Sequence, residues 1–300
     1  MKSTIALVSA LLAAGLAPSS AGDEAYRAEV RKWRDAREAR LKADGGWLTL
    51  AGLFWLNQGP NRFGTDPAGD IVLPAGSAPA EAGVFELNGE QVTMALQPGV
   101  NGRIAGRPVS GAVAMRPDTS GASDVLEMGE LSMNVIERGG RLGIRLKDRN
   151  NVARKRFTGL KWFDIDESYR VEARWVAYPE PKPINVPNIL GQIEAIPSPG
   201  HAEFTLAGKP LRLDGVLEEP HAEELFFIFR DQTSGKETYG AGRFLYSGLP
   251  KGGKVVLDFN KAYNPPCAFT DYATCPLPPP QNRMPIRVEA GELAYGKPGH

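Results

Sequence analysis

Side chains able to do acid–base or anion chemistry concentrate in one stretch of this 300-residue chain, residues 231–282. Asp231 follows the apolar run 225–229 almost at once, and Thr233-Ser234-Gly235 reads as a turn. Period-two alternation over 238–246 places Tyr239, Ala241 and Arg243 on one face of a strand. The same rule over 255–260 groups Val256, Asp258 and Asn260. If the two segments pair as a hairpin through 247–254, with Tyr246 opposite Val255, then Arg243 falls opposite Asp258. Such a pair between apolar strands is either a buried ion pair or the floor of a site. As a site, Asp231 and Asp258, with Glu289 as a further carboxylate, are the candidate acid and base. Arg243 would then depress a carboxylate's pKa or hold an anionic group. Tyr239, Asn260, Tyr263, Asn264 and Asn282 are the candidates to orient a ligand.

The frame around these residues is stiff. Tyr263-Asn264-Pro265-Pro266-Cys267 and Cys275-Pro276-Leu277-Pro278-Pro279-Pro280-Gln281-Asn282 are proline-rich loops, and they carry the only two cysteines. An oxidising compartment favours a Cys267–Cys275 disulfide, with a reactive thiol or a metal site as the alternatives. Zinc takes three or four ligands, and none of His201, His221 and His300 is spaced with the cysteines, so no metal or other cofactor is expected.

The compartment is read from residues 1–21. Lys2 precedes an apolar run over 5–16, and Ser19-Ser20-Ala21 supplies small residues for a signal peptidase. The run is too short to span a bilayer, so a cleaved secretory signal and a periplasmic or secreted protein are expected. Thirty-five basic and 35 acidic residues leave no charge surplus for phosphate backbones, which excludes nucleic acid. Forty-two per cent hydrophobic residues suffice for a core, and 34 glycines with 25 prolines suggest many turns between short strands.

One helix is expected at 23–44, where Tyr26, Val30, Trp33 and Leu41 recur at helical spacing and should pack on the body of the protein. Thereafter the period is two. Hairpins are expected around Asn88-Gly89 and Gly139-Gly140, and half-buried or buried strands over 169–177, 225–229 and 255–259. Four prolines in 179–187 suggest a linker or crossing loop. The fold class is therefore mainly β: one N-terminal helix followed by two β layers or subdomains, sandwich- or barrel-like. The expected boundaries are 47–147 for the first subdomain, 148–188 for a connecting segment and 189–297 for the second. Residues 61–74 resemble the opening of a forkhead-associated domain in strand pattern only. That family's phosphate-holding Arg after the glycine is Thr65 here, and 75–85 holds neither His nor Arg.

The run Asp231-x-Thr-Ser-Gly-x-x-Thr-Tyr-Gly-Ala-Gly-Arg-Phe-Leu-Tyr, continued by Leu257-Asp-Phe-Asn-x-Ala-Tyr-Asn-Pro-Pro-Cys, resembles the DUF1684 family of uncharacterised bacterial and archaeal proteins. Trp47-Leu-Thr-Leu-x-Gly-Leu-Phe-Trp-Leu, Asn61-Arg-Phe-Gly-x-Asp and Arg145-Leu-Lys-Asp fit the same resemblance, which spans about 26–295. It brings no catalytic residues with it. Three readings stay open: an exported hydrolase of an envelope or extracellular small substrate or glycan, a non-enzymatic periplasmic protein binding a small molecule or glycan, and a structural protein whose signature is a buried polar network. Oligomeric state is not readable.

Overall fold

Ala21–Lys42 is the N-terminal helix, with Asp23 and Glu24 in its first turn and Arg40 and Lys42 in its last, the polarity its dipole favours. The computed structural model describes residues 21–219 and 221–296; the expected secretory signal, apart from Ala21, lies outside the described residues. Val30, Arg37 and Leu41 are buried along one stripe of this helix, with Tyr26 and Trp33 half-buried beside them. The stripe lies on the protein body. Tyr26 Oη donates to Asp258 Oδ1 at 2.7 Å, and Arg37 Nη2 donates to the Asn264 carbonyl at 2.9 Å. Among the described residues no helix is long and apolar enough to cross a membrane.

The chain then builds two sheets from residues 50–148. One has six strands in the order Leu50–Trp55, Arg141–Asp148, Leu131–Arg138, Val125–Met128, Arg103–Ile104, Arg107–Pro108. The other has five: Ile71–Val72, Gly59–Gly64, Gly83–Asn88, Gln91–Leu96, Val113–Met115. Both expected hairpins form; Gly139 and Gly140, at φ 56° and 73°, make the tight turn that a side chain would strain. Phe63, Phe85 and Met94 from one sheet and Met133, Val135, Ile144 and Leu146 from the other share one buried core. In Arg141–Asp148 alternation turns Leu142, Ile144 and Leu146 into that core, and so turns Gly143, Arg145 and Lys147 to the other face.

Residues 170–258 form a four-stranded sheet, Lys209–Gly215, Ile193–Leu206, Arg170–Pro187, Lys254–Asp258, and a two-stranded one, Glu224–Phe229 with Arg243–Gly248. Glu224–Phe229 is apolar throughout because both its faces are covered. Leu225, Phe227 and Phe229 join one core, while Phe226 and Ile228 join a second with Leu50, Val186 and Phe244. That second core fastens the two halves together.

Two expectations need correcting. The strands around Arg243 and Asp258 are not hairpin partners: Arg243–Gly248 pairs with Glu224–Phe229, and Lys254–Asp258 pairs with Arg170–Arg174. Gly252 and Gly253, both at positive φ, turn the chain from one sheet to the other, and residues 238–242 are turn rather than strand. Nor is the proline-rich 179–187 a loop, since it continues the strand Arg170–Pro187. Pro179 and Pro181 fall in a register break between Ala177 and Lys182, and Pro183 stands opposite Pro197, so these missing N–H groups cost the ladder little.

Candidate functional site

The sequence-picked residues do not converge. Arg243, 1 % exposed, donates from Nη2 to Asp231 Oδ2 at 2.7 Å and to the Val288 carbonyl at 3.0 Å, and from Nη1 to the Ala290 carbonyl. Asp231 is equally enclosed. Its Oδ1 accepts from Thr233 N at 2.7 Å and Thr233 Oγ1 at 2.6 Å, which caps the turn after the strand. The pair is therefore closed to any ligand. Asp258 faces elsewhere: it accepts from Tyr26 and lies 3.4 Å from Lys261 Nζ, so the expected Arg243–Asp258 pair is not formed. Glu289 sits on the surface, paired with Arg287 at 2.7 Å.

The three asparagines act as stitches. Asn260 donates to Tyr26 Oη and the Asp166 carbonyl, and accepts from Asp166 N. Asn264 donates to Glu292 Oε1 and the Leu293 carbonyl, both at 2.8 Å. Asn282 joins Asp214 to the Ile228 carbonyl. Tyr239 is buried, and burial raises its pKa. Cys267 and Cys275 are disulfide-bonded, with Cα atoms 6.2 Å apart.

Two large cavities lie elsewhere, and of the candidate acid–base and ligand-orienting residues Asp258 and Tyr263 alone line them, with Cys275 of the disulfide. The more informative cavity, about 630 Å³, opens where the two halves meet. Trp47, Asp118, Arg138 and Arg145 come from the first half. Phe226, Phe244, Tyr246, Glu218 and the disulfide loop at 273–276 come from the second, and Asn188, Gln192 and Glu194 come from the end of the long hairpin between them.

Arg145 is the least satisfied charge in this cleft, whose lining otherwise holds Arg138 and the carboxylates of Asp118, Glu137, Glu194 and Glu218. It is 9 % exposed, and its Nε has no hydrogen-bond partner among the described residues. The nearest carboxylate, Asp118, is 3.9 Å from Nη1 and is already held bidentately by Arg138 at 2.8 and 3.0 Å. Its guanidinium lies 5.4 Å from the Trp47 ring. Burial, helped by the Arg138 charge, pushes its pKa down to about 10, which still leaves it a cation at neutral pH.

The opposite wall is a stack. Phe226 and Tyr246 lie 4.8 Å apart at 23°, Tyr246 and Tyr263 lie 6.3 Å apart at 15°, and Arg37 covers the far face of Tyr263 at 4.5 Å. The tyrosine faces are thus occupied within the protein, which leaves ring edges and hydroxyl oxygens toward the cleft. Glu218 accepts the Tyr246 hydroxyl, and crowding by the protein raises its pKa. Among the described residues no three His, Cys, Asp or Glu side chains converge as a metal site.

Sequence reasoning missed Trp47, Asp118, Arg138, Arg145 and Glu218. One signal was present: in 141–148 the residues alternating with Leu142, Ile144 and Leu146 include Arg141, Arg145 and Lys147, a basic face on an otherwise apolar strand.

A mainly β protein with a cleft between its halves is the class these features define. The family model described as "Protein of unknown function (DUF1684)" matches residues 155–293, and the chain belongs to that family. The match includes Glu218, Phe226, Tyr246, Tyr263 and both cysteines, but stops short of Trp47 and Arg145 and of the wider span the N-terminal motifs suggest. An uncharacterised protein of Haloarcula marismortui, solved by solution NMR, is 33 % identical over 47 % of this chain and 78 % of its own, with a TM-score of 0.40. No curated protein matches the chain.

Proposed function

We propose that this protein is exported and binds a small hydroxylated anion, a sugar acid in chemical class, in the cleft between its two halves. Arg145 is the observation that carries the reading. A desolvated cation whose only carboxylate within 4 Å among the described residues is held by another arginine is costly unless an anion completes it. The planar guanidinium suits two carboxylate oxygens at once. Around it, Glu194 and the hydrogen-bonding capacity that Asn188, Gln192, Thr274 and the Tyr246 oxygen keep beyond their bonds within the protein can meet a polyol. Export rests on residues 1–21 and agrees with the disulfide, which an oxidising compartment preserves.

Isothermal titration calorimetry with galacturonate, glucose and benzoate tests the reading. Galacturonate should bind, glucose and benzoate should bind at least about tenfold more weakly, and Arg145→Gln should abolish the preference for the acid. Equal affinity for the acid and the neutral sugar would sink it.

A hydrolytic reading draws on one further observation, the Glu218 carboxyl with its raised pKa at the same cleft, a group suited to protonate a leaving oxygen. Release of free sugar from acidic glycosides by the wild type, lost in Glu218→Gln, would establish it.

A further inference from the structure

A second cavity, about 860 Å³, lies between the N-terminal helix and the strands Arg170–Pro187 and Lys254–Asp258. It shares Tyr246 and Tyr263 with the interlobe cleft, so the tyrosine pair is a partition with a cavity on each side. Tyr246 is 36 % exposed, which leaves the top of that partition open to solvent. The second cavity is lined by six basic and four acidic side chains. Three of the cations are already engaged: Lys254 with Glu172 at 2.5 Å, Lys261 with Glu29 at 2.6 Å, and Arg37 with Glu292 at 3.5 Å. Arg40, Arg170 and Lys251 have no carboxylate within 4 Å among the described residues.

Each side of the polar partition therefore holds cations without a close carboxylate of their own, Arg145 on one side and Arg40, Arg170 and Lys251 on the other, among carboxylates that include Glu194 and Glu224. A single small acid can meet only one side. A chain of acidic units lying over the tyrosine edges meets both, and each end then gains the high effective concentration that linkage to the other provides. We infer that the ligand is an acidic oligosaccharide that crosses the Tyr246–Tyr263 partition, one acidic group meeting Arg145 and another meeting Arg40 and Lys251; this rests on the cleft reading given above. A glycan suits the partition better than an apolar chain. Both faces of Tyr246 are covered, by Phe226 and Tyr263, which leaves its edge for van der Waals contact and its oxygen, whose proton goes to Glu218, as a hydrogen-bond acceptor.

Calorimetry with mono-, tri- and hexagalacturonate, and maltohexaose as the neutral control, tests the inference on the wild type, on Arg145→Gln and on the double variant Arg40→Ala/Lys251→Ala, each checked for an unchanged circular-dichroism melt. Hexagalacturonate should bind about tenfold or more tightly than the monomer, and the double variant should remove most of that gain while leaving the monomer unchanged. Arg145→Gln should weaken both acids. Affinity independent of chain length, or a double variant that binds hexagalacturonate like the wild type, overturns the inference and leaves the cleft reading standing. Monogalacturonate binding that ignores Arg145→Gln overturns the cleft reading instead, and binding of maltohexaose as tight as hexagalacturonate overturns both.

Discussion

Arg243 and Asp231 meet at 2.7 Å with side chains 1 % and 0 % exposed, and the guanidinium also takes the Val288 and Ala290 carbonyls. An ion pair this enclosed ties the strand carrying Arg243 to the C-terminal segment. Removing one partner strands the other charge in the core, so Arg243→Met and Asp231→Asn should each cost about 3–5 kcal/mol. Combined, they should cost less than the sum, because the second substitution removes the stranded charge. Urea unfolding of the three variants checks this, and strict additivity would contradict it.

Arg145 should behave in the opposite sense. Its desolvated charge costs the unliganded protein stability, so Arg145→Met should stabilise it by about 1 kcal/mol, a rise of roughly 2–4 °C in Tm for a chain of this size. Differential scanning calorimetry without ligand reads this directly. A fall of several degrees would show that Arg145 supports the fold rather than awaits an anion.

Glu292 is fully buried, and burial raises its pKa to about 7 against opposition from Arg37 and Asn264. Because the folded protein holds this proton more tightly than the unfolded chain, whose value is near 4.5, the group favours folding fully below about 4.5. That contribution is lost as pH rises through about 7. The unfolding free energy should therefore fall across this window, by up to about 3 kcal/mol from this group. Glu292→Gln should flatten the slope in denaturant titrations at a series of pH values; an unchanged slope would assign it to other groups.

The Cys267–Cys275 bond closes a nine-residue loop whose end walls the cleft. By the chain-entropy argument it contributes roughly 2.5 kcal/mol. Native protein should give no reaction with a thiol reagent until reduced, and then two equivalents. Reduction should lower the melting temperature and weaken galacturonate binding, and Cys267→Ala/Cys275→Ala should do both while leaving the circular-dichroism spectrum at 25 °C unchanged.

Local interactions set what could be read without coordinates. The helix follows from Tyr26, Val30, Trp33 and Leu41 at helical spacing, and the hairpins at 88–89 and 139–140 follow from glycine-bearing tight turns, since both signals are confined to near neighbours. The enclosure of residues 225–229 was likewise visible as an unbroken apolar run. Partner choice was not. Several apolar strands of similar length compete for the same edges, and the winner is decided by packing between distant segments. Thus the strand bearing Arg243 took Glu224–Phe229 as its neighbour, and Asp258 met Tyr26 from 232 residues away. The cleft is of the same kind. Trp47, Arg145 and Tyr246 come together only when two separately patterned halves dock through the core around Leu50, Phe226 and Phe244, and no periodicity within either half encodes that meeting.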